Sequence, residues 1–187
     1  FEQHSRIDLI AVILSPEDSV FQTALSEKVR VFRVGGASRA ETVRNGVSAL
    51  LEQGLAEAKD NILVLDAARC CLPAEALTRL LDEAGENDEG GILAIPVADT
   101  LKRSDGSHHI DETVARAGLW QAQTPQLFQT ALLHRALSVD DFSEITDEAS
   151  AVEKLGIRPL LVQGDTRNLK LTLPQDEYIV RLLLKAV

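Results

Sequence analysis

The chain of 187 residues has no methionine, one tryptophan, one tyrosine and two cysteines. The cysteines, Cys70 and Cys71, are adjacent, which suits neither a disulfide framework nor the ligand spacing of a zinc site and points to a reducing compartment. The longest unbroken apolar run, Leu9 to Leu14, falls far short of a membrane span, and no basic-then-apolar leader opens the sequence; a cytoplasmic location is the default expectation. With no methionine and Phe1 at its start, the sequence reads as part of a longer translation product. Basic residues are scarce: 19 Lys and Arg against 29 Asp and Glu leave a net charge of −10, which repels nucleic-acid backbones and anionic lipid surfaces. A small anionic substrate stays compatible with that balance, because a local cluster of Arg and Lys can dominate the potential inside a cleft. The patterns G-x-G-x-x-G, G-x-x-x-x-G-K-[ST] and G-x-S-x-G are missing too, so the visible chain lacks a triphosphate cradle and a nucleophile elbow.

What is present is ordinary globular composition, 45% apolar and 26% charged, at a length that suits one domain over residues 1–187. Asp8 to Leu14, closed by Ser15-Pro16, reads as a strand buried on both faces. Val29 to Val34 is a second strand ending at Gly35-Gly36, followed by a helix whose apolar positions are Val43, Val47, Leu50 and Leu51. Ile62 to Leu65 is a third strand, and a helix beginning near Pro73 carries Leu77, Leu80, Leu81 and Ala84. Ile92 to Val97 is a strand. Thr124-Pro125 looks like a helix cap with proline at the first helical position, serving the stripe Leu132, Leu133, Ala136 and Leu137. Thr146 is expected to cap a helix from Asp147 to Leu155 that Gly156 ends. Pro159 to Gln163 and Leu169 to Thr172 are short strand candidates, and Pro174 opens a last helix with Ile179, Leu182, Leu183 and Ala186 on its inner face. Such alternation predicts an α/β fold, a mostly parallel sheet with helices on both faces and ligands beyond the carboxyl ends of the strands. The polar stretch Leu101 to Thr113 reads as a projecting arm.

Candidate site residues lie at those strand ends. A simple turn accounts for Gly35-Gly36, but the pair follows a strand and precedes a helix with Ser38, Arg39 and Thr42 in its first turn, where free backbone N–H groups favour an anion or a base carbonyl. Asp66, directly after four apolar strand residues, is placed either to hold a metal or ribose hydroxyl or to pair locally with Arg69. Thr100, Thr146 and Lys170 fall at comparable loop positions, where they converge on a phosphate or serve as cap and surface charge. Arg116 belongs either to its own subunit's surface or to a neighbour's site. His108-His109 reads as an exposed arm feature and His134 as structural, since no partner ligand stands at metal spacing.

Taken together, Gly35-Gly36-Ala37-Ser38-Arg39-Ala40-Glu41-Thr42-Val43, Val64-Leu65-Asp66-Ala67-Ala68-Arg69, Pro96 to Arg103, Gly118 to Gln126, Ile145 to Ser150 and Asn168 to Thr172 closely resemble the 2-C-methyl-D-erythritol 4-phosphate cytidylyltransferase family, in the family's order. The resemblance implies a Rossmann-like domain with a β-arm for dimerisation over residues 101–118. It also implies transfer of a cytidylyl group from CTP to the 4-phosphate of methylerythritol phosphate, with release of pyrophosphate and the help of Mg2+. By this resemblance Gly36, Ala37 and Thr42 face the cytosine, Asp66 and Ala67 the ribose and metal, and Arg69 the substrate side. Thr100, Thr146 and Lys170 bind the acceptor, and Arg116 reaches it from the other subunit of a homodimer. In the family a glycine-rich loop with a phosphate-clamping Arg and Lys, and the first strand of the sheet, precede the position of Phe1. Leu9 to Leu14 is then the second strand, expected to look exposed. Leu65 stands where the family often has His, and Arg167 where some members have an acidic residue that helps with metal. The rival expectations are a cytidylyltransferase for another polyol phosphate, such as ribitol 5-phosphate, and a non-catalytic nucleotide-binding module.

Overall fold

A computed structural model of the chain describes residues 1–22 and 26–185. In chain order its elements are β1 (Ile10–Ile13), β2 (Val29–Phe32), α1 (Arg39–Glu52), β3 (Asn61–Val64), α2 (Ala74–Ala84), β4 (Gly91–Pro96), β5 (Leu101–Ser104), β6 (Ile110–Val114), β7 (Trp120–Gln129), α3 (Thr130–Leu137), α4 (Glu148–Glu153), β8 (Leu160–Gln163) and α5 (Asp176–Lys185). The chain divides into two compact units, Phe1–Ile62 with Phe128–Arg158 and Leu63–Leu127 with Pro159–Val187.

In the first unit β1 and β2 pair in parallel, Ile10 opposite Val29 and Ile13 opposite Phe32. Their core gathers Phe32, Ala49 and Leu50 with Leu9, Ala11, Ile13, Val34, Ala56 and Ile62. Every residue of β1 is half-buried, whereas the apolar run predicts burial on both faces. Gly35 has a steric reason: a Cβ there would stand 2.9 Å from the Leu14 carbonyl oxygen and 3.1 Å from the Ser15 nitrogen, so any side chain would force the backbone apart. Helix α3 begins where Thr130 donates its N–H and its hydroxyl to the Asp60 carbonyl, at 2.8 and 2.9 Å.

The second unit is built on α2, whose Ala76, Leu77, Leu80, Leu81 and Ala84 pack with Leu93, Leu127 and Val162. Leu77, Leu80, Leu81 and Ala84 are the apolar positions expected from the helical spacing after Pro73, Ala76 joins them, and Pro73 itself is the N-cap. The four-stranded sheet runs in the order β3-β7-β4-β8. Strand β4 pairs in parallel with β8 and antiparallel with β7, so the expected α/β alternation holds around a mixed sheet. Strands β5 and β6 form a separate antiparallel hairpin, mostly exposed, at the place expected for the arm.

Four local expectations are corrected. Thr124-Pro125 does not start a helix: both residues lie inside β7, joined by a cis peptide bond, and the helix begins at Thr130. The ladder between β4 and β7 shifts register between Ile92 and Ala94, where the partners jump from Gln126 to Ala122. Such an irregularity is where a strand tolerates a residue without an N–H. The cap of α4 is Asp147 rather than Thr146, in a reciprocal capping box with Ser150. Leu169 to Thr172 forms no strand; Leu171 donates one backbone hydrogen bond to Ala68, at 2.9 Å. In α5 the buried residue is Val180, with Leu183 half-buried, while Ile179 and Leu182 are 49% and 50% exposed. Five of its seven residues from Tyr178 to Leu184 are aliphatic, so spacing alone leaves the inward stripe ambiguous; Ala186 lies outside the described residues.

Candidate functional site

The loop from β2 to α1 arranges the first group of candidates. Ser38 is the N-cap of α1 and accepts the Glu41 N–H at 3.2 Å. Thr42 accepts the Gly36 N–H at 3.0 Å and donates to the Ser38 carbonyl at 2.8 Å. The Ala37 N–H donates to the Glu41 carboxylate at 2.7 Å. The expectation of free N–H groups is therefore corrected at Gly36 and Ala37: the helix's own first-turn side chains already satisfy these exposed donors. Gly36 makes this possible, since a Cβ there would fall 2.3 Å from Glu41 Cγ. In the same unit, Thr146 is exposed and donates its N–H to Ser150 Oγ at 3.0 Å.

Asp66 follows β3. Its N–H donates to Thr124 Oγ1 at 3.0 Å, so the irregular segment of β7 holds the loop that carries it. Its carboxylate meets Lys170 Nζ at 2.9 Å, with the Asp66 side chain 14% exposed and that of Lys170 45% exposed. Of the two sequence readings of Asp66, the local partner expected was Arg69; the structure brings in Lys170, from about a hundred residues further along the chain. Arg69 donates Nη1 to the Asn168 carbonyl at 2.6 Å, and its N–H closes a turn on the Asp66 carbonyl at 2.9 Å. Ala67 lies exposed in that turn.

Behind these groups stands Asn168, fully buried, a residue of the Asn168 to Thr172 motif to which the sequence alone assigns no role. Its amide donates to the Thr124 carbonyl at 2.9 Å and to Gln123 Oε1 at 3.3 Å. Gln123 in turn donates to the Asp165 carbonyl at 2.9 Å. One buried side chain thus fastens the Lys170 segment to the strand that steadies Asp66. Arg167 is occupied by Asp165 at 2.7 Å and Glu75 at 2.6 Å. These carboxylates push its ionisation higher still, and both carboxyls are held below their ordinary range, Asp165 mainly by Arg167, Glu75 first by its own backbone and then by Arg167.

Thr100 is exposed between β4 and β5, and Arg116 is exposed just after β6. Across the hairpin Arg103 pairs with Glu112 at 2.7 Å and Lys102 donates to Thr113 at 2.6 Å. His109 bonds Ser107 at 2.9 Å in the arm's turn. No group of three or more His, Cys, Asp or Glu among the described residues is placed to hold a metal ion. Magnesium is usually bound by one or two carboxylates with substrate phosphates and water, a donor set to which Asp66, paired here with Lys170, can contribute one carboxylate.

The family model for 2-C-methyl-D-erythritol 4-phosphate cytidylyltransferase matches residues 1–186. The chain belongs to that family. An enzyme of that name from Neisseria gonorrhoeae is 67% identical over the whole chain, which covers 82% of its length, and one from Chromobacterium violaceum is 50% identical, with 96% of this chain and 79% of that protein aligned. A crystal structure of a 4-diphosphocytidyl-2C-methyl-D-erythritol synthase superposes with a TM-score of 0.90 at 64% identity, covering 98% of this chain and 86% of the other. The Francisella tularensis cytidylyltransferase gives 0.83 at 28% identity, with coverage of 98% and 83%. The α/β fold expected from the sequence is the fold of these family members.

Proposed function

We propose that this cytidylyltransferase joins CTP and 2-C-methyl-D-erythritol 4-phosphate into 4-diphosphocytidyl-2-C-methyl-D-erythritol with release of pyrophosphate, in isoprenoid precursor biosynthesis. The observation that carries the reading is the family match along residues 1–186. A phosphate oxygen of the acceptor forms a bond to the α-phosphorus of CTP as the bond to the pyrophosphate leaving group breaks. The attacking phosphate is ionised near neutral pH, so the protein has no proton to remove. Its work is to position two anions and to offset the charge that develops on the transferring group.

The residues are assigned accordingly. Gly36, Ala37 and Thr42 face the cytosine, and Asp66 and Ala67 face the ribose. Thr100, Thr146 and Lys170 bind the acceptor, Arg69 faces the substrate side, and Arg116 is contributed by the partner subunit of a homodimer. The support for Lys170 and Asp66 is their 2.9 Å contact at the end of β3, which puts a cation beside a carboxylate where strand ends bind ligands. Asp66 would hold Mg2+, which supplies charge neutralisation at phosphate oxygens when bound. The exposed hairpin, with Ile110 67% exposed, supports the dimer arm. A cytoplasmic setting is supported by two free cysteines; no helix among the described residues is long and apolar enough to cross a membrane.

Pyrophosphate release tests the reading. With CTP and Mg2+, release is expected only when methylerythritol phosphate is added, and UTP is expected to be a poor replacement. Equal turnover with ribitol 5-phosphate would give the chain a different acceptor, and equal turnover with UTP would remove the cytosine-reading role of Gly36 and Ala37.

A further inference from the structure

Arg39 is the first residue of α1 and Glu148 the first residue of α4. Their side chains meet as a two-bond fork, Arg39 Nη1 to Glu148 Oε1 at 2.6 Å and Nη2 to Oε2 at 3.0 Å. The Glu148 side chain is 1% exposed, and burial pushes its carboxyl above the ordinary range although Arg39 pulls it back. The Arg39 side chain is 35% exposed, so only the carboxylate is enclosed; its desolvation offsets much of the attraction and leaves the pair a poor source of stability. Its two parallel bonds instead fix direction as well as distance.

What the fork fastens is specific. Arg39 follows Gly36, Ala37 and Ser38 directly and stands one turn before Thr42, while Glu148 lies two residues after Thr146. Both ends are stiffened by their caps, Ser38 to the Glu41 N–H and Asp147 with Ser150 in the capping box. All of these residues belong to the first compact unit. Moving either helix start therefore carries a proposed binding loop with it.

We propose that the Arg39–Glu148 fork is a positioning link that sets the cytosine-facing loop and the acceptor-facing Thr146 loop together, so that loss of the fork weakens binding of both substrates. This rests on the cytidylyltransferase roles given above to Gly36, Ala37, Thr42 and Thr146. Neither fork residue touches substrate in this account.

Three variants test it. Glu148→Gln keeps the shape and removes the charge, Arg39→Lys keeps the charge and removes the fork, and the pair Arg39→Met with Glu148→Leu replaces the link by packing. In each, KM for CTP and KM for methylerythritol phosphate are expected to rise together by about tenfold, the scale of a small misplacement of binding groups. The apolar double variant is expected to recover the melting temperature lost in Glu148→Gln, as apolar replacements of buried ion pairs often do, without recovering either KM. Unchanged KM values in Arg39→Lys, or wild-type kinetics in the apolar double variant, would overturn the proposal and leave the pair a purely structural contact. A wild-type protein that neither binds CTP by calorimetry nor releases pyrophosphate would fail differently, by removing the reading on which the link depends.

Discussion

Asn168 shows how a polar residue acquires weight from burial. Its amide joins the Thr124 carbonyl and Gln123 Oε1, and its own carbonyl takes Arg69. Replacing it by Ala leaves the Thr124 carbonyl without that donor, at a cost of about 1–3 kcal/mol for a buried group left unpaired. Urea denaturation should register this, and kcat/KM should fall with it, because Thr124 also holds the Asp66 N–H. Lys170→Ala is expected to act at the chemistry instead: kcat/KM with methylerythritol phosphate falls about 100-fold, the scale of losing one charge-stabilising donor, while calorimetry finds CTP affinity little changed. Asp66 draws notice in the sequence because it closes an apolar run at a loop, and Lys170 only as part of Asn168 to Thr172; that the two side chains meet is not readable from spacing. Nor is the burial of Asn168, since a lone Asn in a polar stretch reads as solvated, and only the irregular segment of β7 decides that it is enclosed.

Among elements, the order of strands and helices was legible wherever periodicity is unambiguous. The spacing of Leu77, Leu80, Leu81 and Ala84 gave the inner face of α2 directly. Thr124-Pro125 misled because the same dipeptide suits a helix start and a strand irregularity, and the distant pairing of β7 with β4 chose between them. The start of α5 yields a pH-dependent expectation. Asp176 accepts the Thr172 N–H at 2.9 Å and the Leu173 N–H at 2.8 Å, and these bonds, Leu173 foremost, hold its carboxyl below the ordinary range. A carboxyl lowered in the folded state adds stability that is present above its unfolded pKa and disappears as pH falls through the folded value. Asp176→Ala should therefore lower the melting temperature at neutral pH, as the loss of a cap-like contact does. The difference from wild type should shrink in acid. A difference that stayed constant down to strongly acid pH would show that the carboxylate charge is not what steadies α5. Gly35→Ala is expected to be worse than any exposed change, because its Cβ meets the Leu14 and Ser15 backbone rather than a side chain that can turn aside.

For the whole molecule, a net charge of −10 and two anionic substrates make local cations decisive, and the proposed roles divide these between subunits. Arg116 follows the exposed hairpin, whereas Lys170 lies beside Asp66 at the end of β3. If the arm delivers Arg116 to a second copy, an Arg116→Ala subunit deprives its partner's site of that residue, whereas a Lys170→Ala subunit deprives its own. Mixing the two inactive variants then rebuilds one complete site in each mixed dimer, with Lys170 from the Arg116→Ala chain and Arg116 from the Lys170→Ala chain. Random exchange makes half of the dimers mixed, so pyrophosphate release should recover to about a quarter of the wild-type rate, as two-fold symmetry with one intact site of two requires. The mixture must first be unfolded and refolded together, or incubated long enough to exchange, and sedimentation should report dimers throughout. Recovery fixes Arg116 as a residue given across the interface. Dimers that form but recover nothing would place Arg116 in its own subunit's site, and the hairpin would then hold the copies together without supplying any part of the chemistry.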